Sequence, residues 1–274
     1  MPHTTRFENL QACRKVCWPI YVFVSLLTLL LAAPSLRGQE TYDASARWAV
    51  LDFDSAPGDA TTGQTATDSV VEEMNLLNRY DIPGRPDVQA ALQLLGLTLP
   101  LNTTGERRLG RLLGANAIVT GSVGSITFLG THAMVTLTVK VRDIRTGELI
   151  NGAWVTGESD PKSTAAADPE SLVSEAITNA AYTAVGQMSQ YALPHATVLI
   201  REDSHTVLLS HGTQDGLRPG LSMVVTRFGD RIGLLKLTRV EADQAEAQVV
   251  QEGGGIAAQD IATVIYTLPA SPTH

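Results

Sequence analysis

The chain has 274 residues, 44% of them hydrophobic, 18% charged and 5% aromatic, with a net charge of -8. That is an ordinary globular composition, enough for two modest cores. The acidic balance argues against a nucleic-acid-binding face, and the scarcity of aromatics argues against a platform for stacking sugars or bases.

Residues 1–38 read as an export signal. Arg6, Arg14 and Lys15 form a basic lead, an apolar run follows from Val16 to Ala33, and small residues appear at Ala32, Ala33 and Ser35. Cleavage after Ser35 or after Gly38 fits the pattern. An uncleaved signal anchor is the alternative, and only that form would contact the membrane. Both cysteines, Cys13 and Cys17, lie in or before the apolar run. The mature protein is therefore expected to carry no disulfide, no thiol chemistry and no lipid-modified cysteine.

Arg47 to Asp54 reads as a short strand ending in acidic residues, and Ser55 to Gly63 as a loop. Ala66, Val70, Val71, Met74 and Leu77 recur at helical spacing. Pro86 opens a second helix that Gly96 stops. Thr103 or Thr104 caps a third, which ends at Gly114. Ala117 to Val123 then reads as a strand. Ala133 to Val141 alternates with period two, and Arg145-Thr146-Gly147-Glu148 turns it into a partner over Leu149 to Thr156. A polar linker leads to a helix with a stripe of Leu172, Ala176, Ile177, Ala180, Ala184 and Met188. The expected fold is α+β, a mixed sheet with helices on one face, over residues 46–193. Six short strands over residues 195–267 predict a small all-β, SH3-like barrel, and residues 268–274 a disordered tail.

The opening strand Trp48-Ala49-Val50-Leu51-Asp52-Phe53, the segment Leu109 to Val123 and the hairpin Asp143 to Glu148 resemble the CsgG-like (curli assembly and transport) superfamily of bacterial envelope proteins. The same α/β unit occurs in lipoprotein activators of peptidoglycan synthases and in flagellar assembly protein T. The barrel resembles the C-terminal barrel of that flagellar protein through Gly212, Gly216 to Gly220, Ile232-Gly233 and Gln259-Asp260, where Gly-Asp is more usual. The resemblance implies an exported scaffold or assembly role with envelope-protein partners, or a homo-oligomeric ring. It implies no activity and no cofactor. Only the hairpin from Ala133 to Thr156 approaches the length of a membrane-spanning pair, so a pore function is not carried over.

Asp52 and Asp54 flank Phe53 and form a weak acidic-site candidate, with Asp59 and Asp68 within reach only through the fold. A periplasmic small-molecule or glycan binder, or a weak hydrolase, using a cleft between the domains at this strand end is the alternative to a protein scaffold. His195, His205 and His211 read as surface histidines rather than zinc ligands. Gly121-Ser122-Val123-Gly124 reads as close strand packing, not a phosphate loop. If the alternating strand or the opening strand lies at a sheet edge, it offers backbone groups for strand addition. The candidate interaction loops are Gln214, Asp215 and Arg218 in one barrel turn and Gly253, Gly254 and Gly255 in another.

Overall fold

The computed structural model describes residues 46–162 and 168–269. The export signal, both cysteines, part of the polar linker and residues 270–274 of the tail lie outside them. Among the described residues no helix is long and apolar enough to cross a membrane.

The first layer runs β1 (Ala46–Val50), α1 (Thr62–Leu76), β2 (Tyr80–Asp81), α2 (Arg85–Leu95), α3 (Thr103–Leu113), β3 (Ala117–Leu129), β4 (His132–Asp143), β5 (Leu149–Glu158) and α4 (Pro169–Gln190). The sheet order is β2-β1-β3-β4-β5, with β1 parallel to both β2 and β3 and the rest antiparallel. Parallel neighbours need helical crossovers, and crossovers are right-handed. The chain steps one way from β1 to β2 and the other way from β2 to β3. Right-handed connections therefore place α1 on one face and α2 with α3 on the other.

The burial follows that division. Ala66, Val70 and Met74 of α1 and Ala176, Ile177, Ala180 and Ala184 of α4 pack with Val119, Val135, Leu137 and Val139 on one face. Val88, Ala91 and Leu109 pack with Ala49, Leu51, Ile118 and Ile144 on the other. Each such large aliphatic contributes roughly 1.5–3 kcal/mol relative to exposure. Helices thus cover both faces, not one as expected. The second face is covered only over β1 and β3, and the same face of β4 carries half-buried Thr136 and Thr138 and exposed Lys140.

Several boundaries move. β3 extends to Leu129, well past Val123, because its outer half pairs with the start of β4. Asn102, not a threonine, caps α3, its side chain accepting from the Gly105 amide at 2.8 Å. Gly114 ends that helix at φ +64°, which frees the chain to enter β3. Gly121 lies where a Cβ would collide with the Phe53 ring, so the close-packing reading of that segment holds. The β4–β5 turn is built on Asp143, whose carboxylate accepts from the amides of Arg145 (2.9 Å) and Thr146 (2.6 Å). Neither strand considered for edge addition lies at an edge: β1 and β4 are both flanked, and the edges are β2 and β5.

The second layer is a closed antiparallel barrel of β6 (His195–Arg201), β7 (Thr206–Leu209), β8 (Ser222–Arg227), β9 (Asp230–Val240), β10 (Ala245–Glu252) and β11 (Ile261–Val264), in the order β10-β7-β6-β11-β8-β9. Val198, Val207, Leu209, Met223, Leu235 and Leu237 fill it. Leu217 and Ile256, from loops at opposite ends, plug it.

Among the described residues the two layers meet at two places. Beyond β11, the Tyr266 amide donates to the Leu149 carbonyl (2.9 Å) and its hydroxyl to the Gly152 carbonyl (2.6 Å). Its ring packs edge-on against Tyr191 at 4.9 Å. At the other end of the barrel Arg231 pairs with Glu148 at 2.6 Å, and the Arg145 guanidinium donates to the Phe228 carbonyl.

Replacing Gly114 with Val is expected to lower unfolding free energy by about 1–2 kcal/mol, the cost of a left-handed backbone for a branched residue. Gly186, inside α4 with open space where a Cβ would go, is the contrasting site. Gly186→Ala should raise stability by up to about 1 kcal/mol. Urea unfolding curves of the two variants check both signs.

Candidate functional site

Asp52 and Asp54 leave the end of β1 on the face that α3 covers only in part. Both line a cleft of about 250 Å³, together with Leu99, Leu101, Glu106, Ser122, Lys140 and Arg142. The pair predicted from sequence is therefore brought to one site. That site lies wholly within the α/β layer and not between the two domains, because the barrel docks on the hairpin end and the β5 edge instead.

The charges in and beside the cleft are largely paired. The Arg85 guanidinium bridges Asp52 and Asp68, at 2.9 Å to each. Glu106, in the first turn of α3 and only 6% exposed, faces the Arg142 Nε at 2.8 Å. The angle of that contact is that of an ion pair rather than an aligned hydrogen bond. Asp68, within reach of Asp52 only through the fold, does join it, but through a cation. Asp59 does not: it accepts from the Thr61 amide and hydroxyl, both at 2.8 Å, and these bonds hold its carboxyl below the usual range. Asp54 is pinned by its backbone, its amide donating to the Gly121 carbonyl and its carbonyl accepting from the Val123 amide. Among the described residues Asp54 and Lys140 are the lining charges with no ion-pair partner.

Arg85, Glu106, Lys140 and Arg142 were missed as site residues. Glu106 carried a signal, a carboxylate in the first turn of a capped helix. Arg85, Lys140 and Arg142 carried none: the β2–β3 crossover brings Arg85, and the β3–β4 pairing brings Lys140 and Arg142, to the β1 end.

The candidate barrel loops are exposed but separate. Gln214 and Asp215 sit in the short turn Thr213–Asp215, with Arg218 beyond it. That turn is tied to the β9–β10 connection by bonds from the Thr213 and Gln214 amides to the Glu241 and Ala242 carbonyls. Gly253, Gly254 and Gly255 follow β10 at the opposite end of the barrel. The antiparallel order forbids one surface from using both loops at their tips. The glycine loop is anchored by Asp260, which is 3% exposed. Its carboxylate takes a two-pronged pairing from Arg227 (2.8 and 2.9 Å) and accepts from the Ala257 amide (2.7 Å). Burial works against its ionisation, but the Arg227 and Ala257 bonds outweigh burial and hold the carboxyl below its usual range. Gln259, just before it, is left-handed at φ +73°, a backbone that glycine adopts more readily.

His195 and His211 approach to 5.8 Å between ring centres. His211 Nδ1 contacts the Ser210 hydroxyl at 2.7 Å, and that hydroxyl accepts from the Thr197 amide. Among the described residues no three His, Cys, Asp or Glu side chains converge as metal ligands.

No family profile matches the chain. No curated protein matches it either. Solved structures do. The chain is 16% identical to LpoB from E. coli, covering 41% of this chain and 56% of that one, with a TM-score of 0.34. It is 14% identical to lipoprotein GNA1162 from Neisseria meningitidis (46% and 88% covered, TM-score 0.36). It is 12% identical to the PelC dodecamer from Paraburkholderia phytofirmans (51% and 86% covered, TM-score 0.32). The chain thus spans just over half the length of the LpoB structure. These findings correct the expected CsgG-like membership and the likeness to flagellar assembly protein T: the matching structures are of other proteins, and no profile of either family matches.

Asp260→Asn is expected to cost about 2 kcal/mol, at the low end for a buried pair because the Arg227 head keeps access to water. A depressed carboxyl stabilises fully above its unfolded pKa of about 3.9 and loses that contribution as pH falls through the folded value. The gap between wild type and variant should therefore be full above about pH 4 and close below it. Gln259→Gly should instead stabilise by up to about 1 kcal/mol. Denaturant midpoints across pH 2.5–7 check all three statements.

Proposed function

We propose that the chain is an exported, non-enzymatic cell-envelope protein, a scaffold or assembly factor that binds other envelope proteins. The observation that carries this reading is the pairing of the cleft charges. Asp52 and Asp68 are held by Arg85, and Glu106 by Arg142, so these carboxylates serve structure rather than proton transfer. The export pattern of residues 1–38 supports the location. The barrel supports the binding role, since its two loop ends are exposed while its walls are fastened to the sheet. GNA1162 is a lipoprotein, whereas this chain has no cysteine after its apolar run. We therefore place it in the periplasm or at the outer membrane without a lipid anchor. Self-association falls within the same role.

A second reading, a small polar ligand in the cleft, is favoured by Asp54 and Lys140, a carboxylate and an ammonium with no ion-pair partner among the described residues.

Expressed with its first 38 residues, the chain should fractionate with the envelope and take up no labelled palmitate. Affinity purification of cross-linked envelopes should recover one or more envelope proteins at fixed stoichiometry. Recovery of no partner, together with a demonstrated turnover activity, would overturn the scaffold reading. Binding of a small solute that Asp54→Asn abolishes would favour the second.

A further inference from the structure

Strand register lays out the floor of the cleft at Asp52 and Asp54. Thr120 of β3 stands opposite Lys140 of β4, Ser122 stands opposite Thr138, and Asp54 adjoins Ser122 from the other side. All five line the cleft, and the three hydroxyl residues are half-buried. Asp54 and Lys140, the lining charges with no ion-pair partner among the described residues, stand at opposite corners of this hydroxyl floor. One carboxylate and one ammonium call for a ligand that carries one charge of each sign.

The spacing sets the length of that ligand. Two strand spacings and one two-residue step put the Asp54 and Lys140 Cα atoms roughly 12 Å apart. Side chains stand nearly upright on a sheet, so their charged ends are separated by about as much. A charge-assisted contact of about 2.8 Å at each end leaves roughly 6–7 Å between the ligand's own charges. Two extended residues span about 7 Å, and one residue about half of that. The cleft volume of about 250 Å³ also suits a small ligand.

The cleft holds a buried acceptor that the fold leaves open. Glu106 lines it and is 6% exposed. Its Oε2 stands beside Arg142 Nε as a charge, and neither atom has an aligned hydrogen bond among the described residues. Buried carboxylates are seldom left without a donor. A free amino acid has no donor between its charged groups, whereas a dipeptide has its peptide N–H. Leu99 and Leu101, from the α2–α3 loop, give the cleft an apolar wall for a side chain.

We propose that the cleft binds a zwitterion of dipeptide length, with its ammonium on Asp54, its carboxylate on Lys140 and its peptide N–H facing Glu106. This rests on the small-ligand reading and names its ligand class; the scaffold role of the barrel is independent of it. The role is binding without chemistry, since Asp52 and Glu106 are held by Arg85 and Arg142.

The test is calorimetry on the chain expressed with its first 38 residues and purified from the envelope fraction. The probes are alanyl-alanine, leucyl-alanine, alanyl-leucine and seryl-alanine, with alanine and trialanine for comparison. At least one dipeptide should bind with a Kd below about 1 mM, and about ten-fold or more tighter than alanine or trialanine. N-acetylating that dipeptide, amidating its carboxylate or methylating its peptide nitrogen should each weaken binding about ten-fold or more. Asp54→Asn should erase the difference between free and acetylated forms, and Lys140→Gln that between free and amidated forms. Both side chains are exposed, so both variants should melt at the wild-type temperature. Alanine or trialanine binding as tightly as every dipeptide, or dipeptide affinity unchanged in both variants, would overturn the proposal. So would the absence of dipeptide binding at 1 mM. Asp54-dependent binding of alanine, or of another small solute extracted from envelopes, would then leave the small-ligand reading standing. If no such binding is found either, that reading falls too.

Discussion

Tyr266 fastens the barrel to the sheet. Its amide and hydroxyl take two carbonyls of the β5 region, Leu149 and Gly152, while its ring meets Tyr191 at the end of α4. One residue thereby joins the end of the barrel, the edge of the sheet and the helix that leads into the barrel. Domains joined by a short connection move relative to one another unless their interface restrains them. A single contact would leave a hinge. Here a second contact, Arg145 and Glu148 against Phe228, Asp230 and Arg231, lies at the opposite end of the barrel. The attachments reach the sheet at neighbouring residues, Glu148 and Leu149, but grip the barrel at opposite ends, so together they resist rocking in a way that neither does alone. The arrangement also shields part of β5, the longer of the two sheet edges, from pairing with other chains.

The same geometry explains where the cleft falls. Opposed right-handed crossovers split the helices between two faces, and α2 with α3 reaches only the β1–β3 half of its face. The β4–β5 half is left with threonines and Lys140, and the cleft opens where coverage stops. Charges meeting at such a boundary are neither fully buried nor fully solvated. Pairing Asp52 and Asp68 through Arg85, and Glu106 with Arg142, resolves that cost locally.

Much of this was legible in the sequence because the relevant signals are local. The period-two run of β4, the helical stripes of α1 and α4, the glycine stop at Gly114 and all six barrel strands need only neighbours in the chain. What was not legible depends on topology. Helices on both faces follow from strand order, which periodicity does not encode. The extension of β3 to Leu129 depends on a partner strand, since Ser125 to Leu129 has no stripe of its own. The caps split the same way: Asn102 and Thr103 are equally plausible from residue type, and the bond to Gly105 decides between them. At the cleft, Asp52 and Asp54 were visible as adjacent acids, but Arg85 is 33 residues from Asp52 and converges on it only in the fold. The family resemblance failed for a related reason. Short segments such as Leu109 to Val123 describe how a helix hands over to a strand, and that task recurs wherever a helix must stop and a core strand begin.

The barrel turns show how residue choice separates fold from function. Gln259 and Phe228 both take left-handed backbone that glycine or asparagine would accept more readily. Gln259 immediately precedes Asp260, whose carboxylate holds Arg227 and the Ala257 amide, so its strain is bound into a network that closes the barrel end. Phe228 has no such return among the described residues, where its side chain is exposed and its carbonyl accepts from Arg145. A carbonyl is present whatever the side chain. Arg145 therefore braces the turn through its backbone, whatever the side chain at position 228.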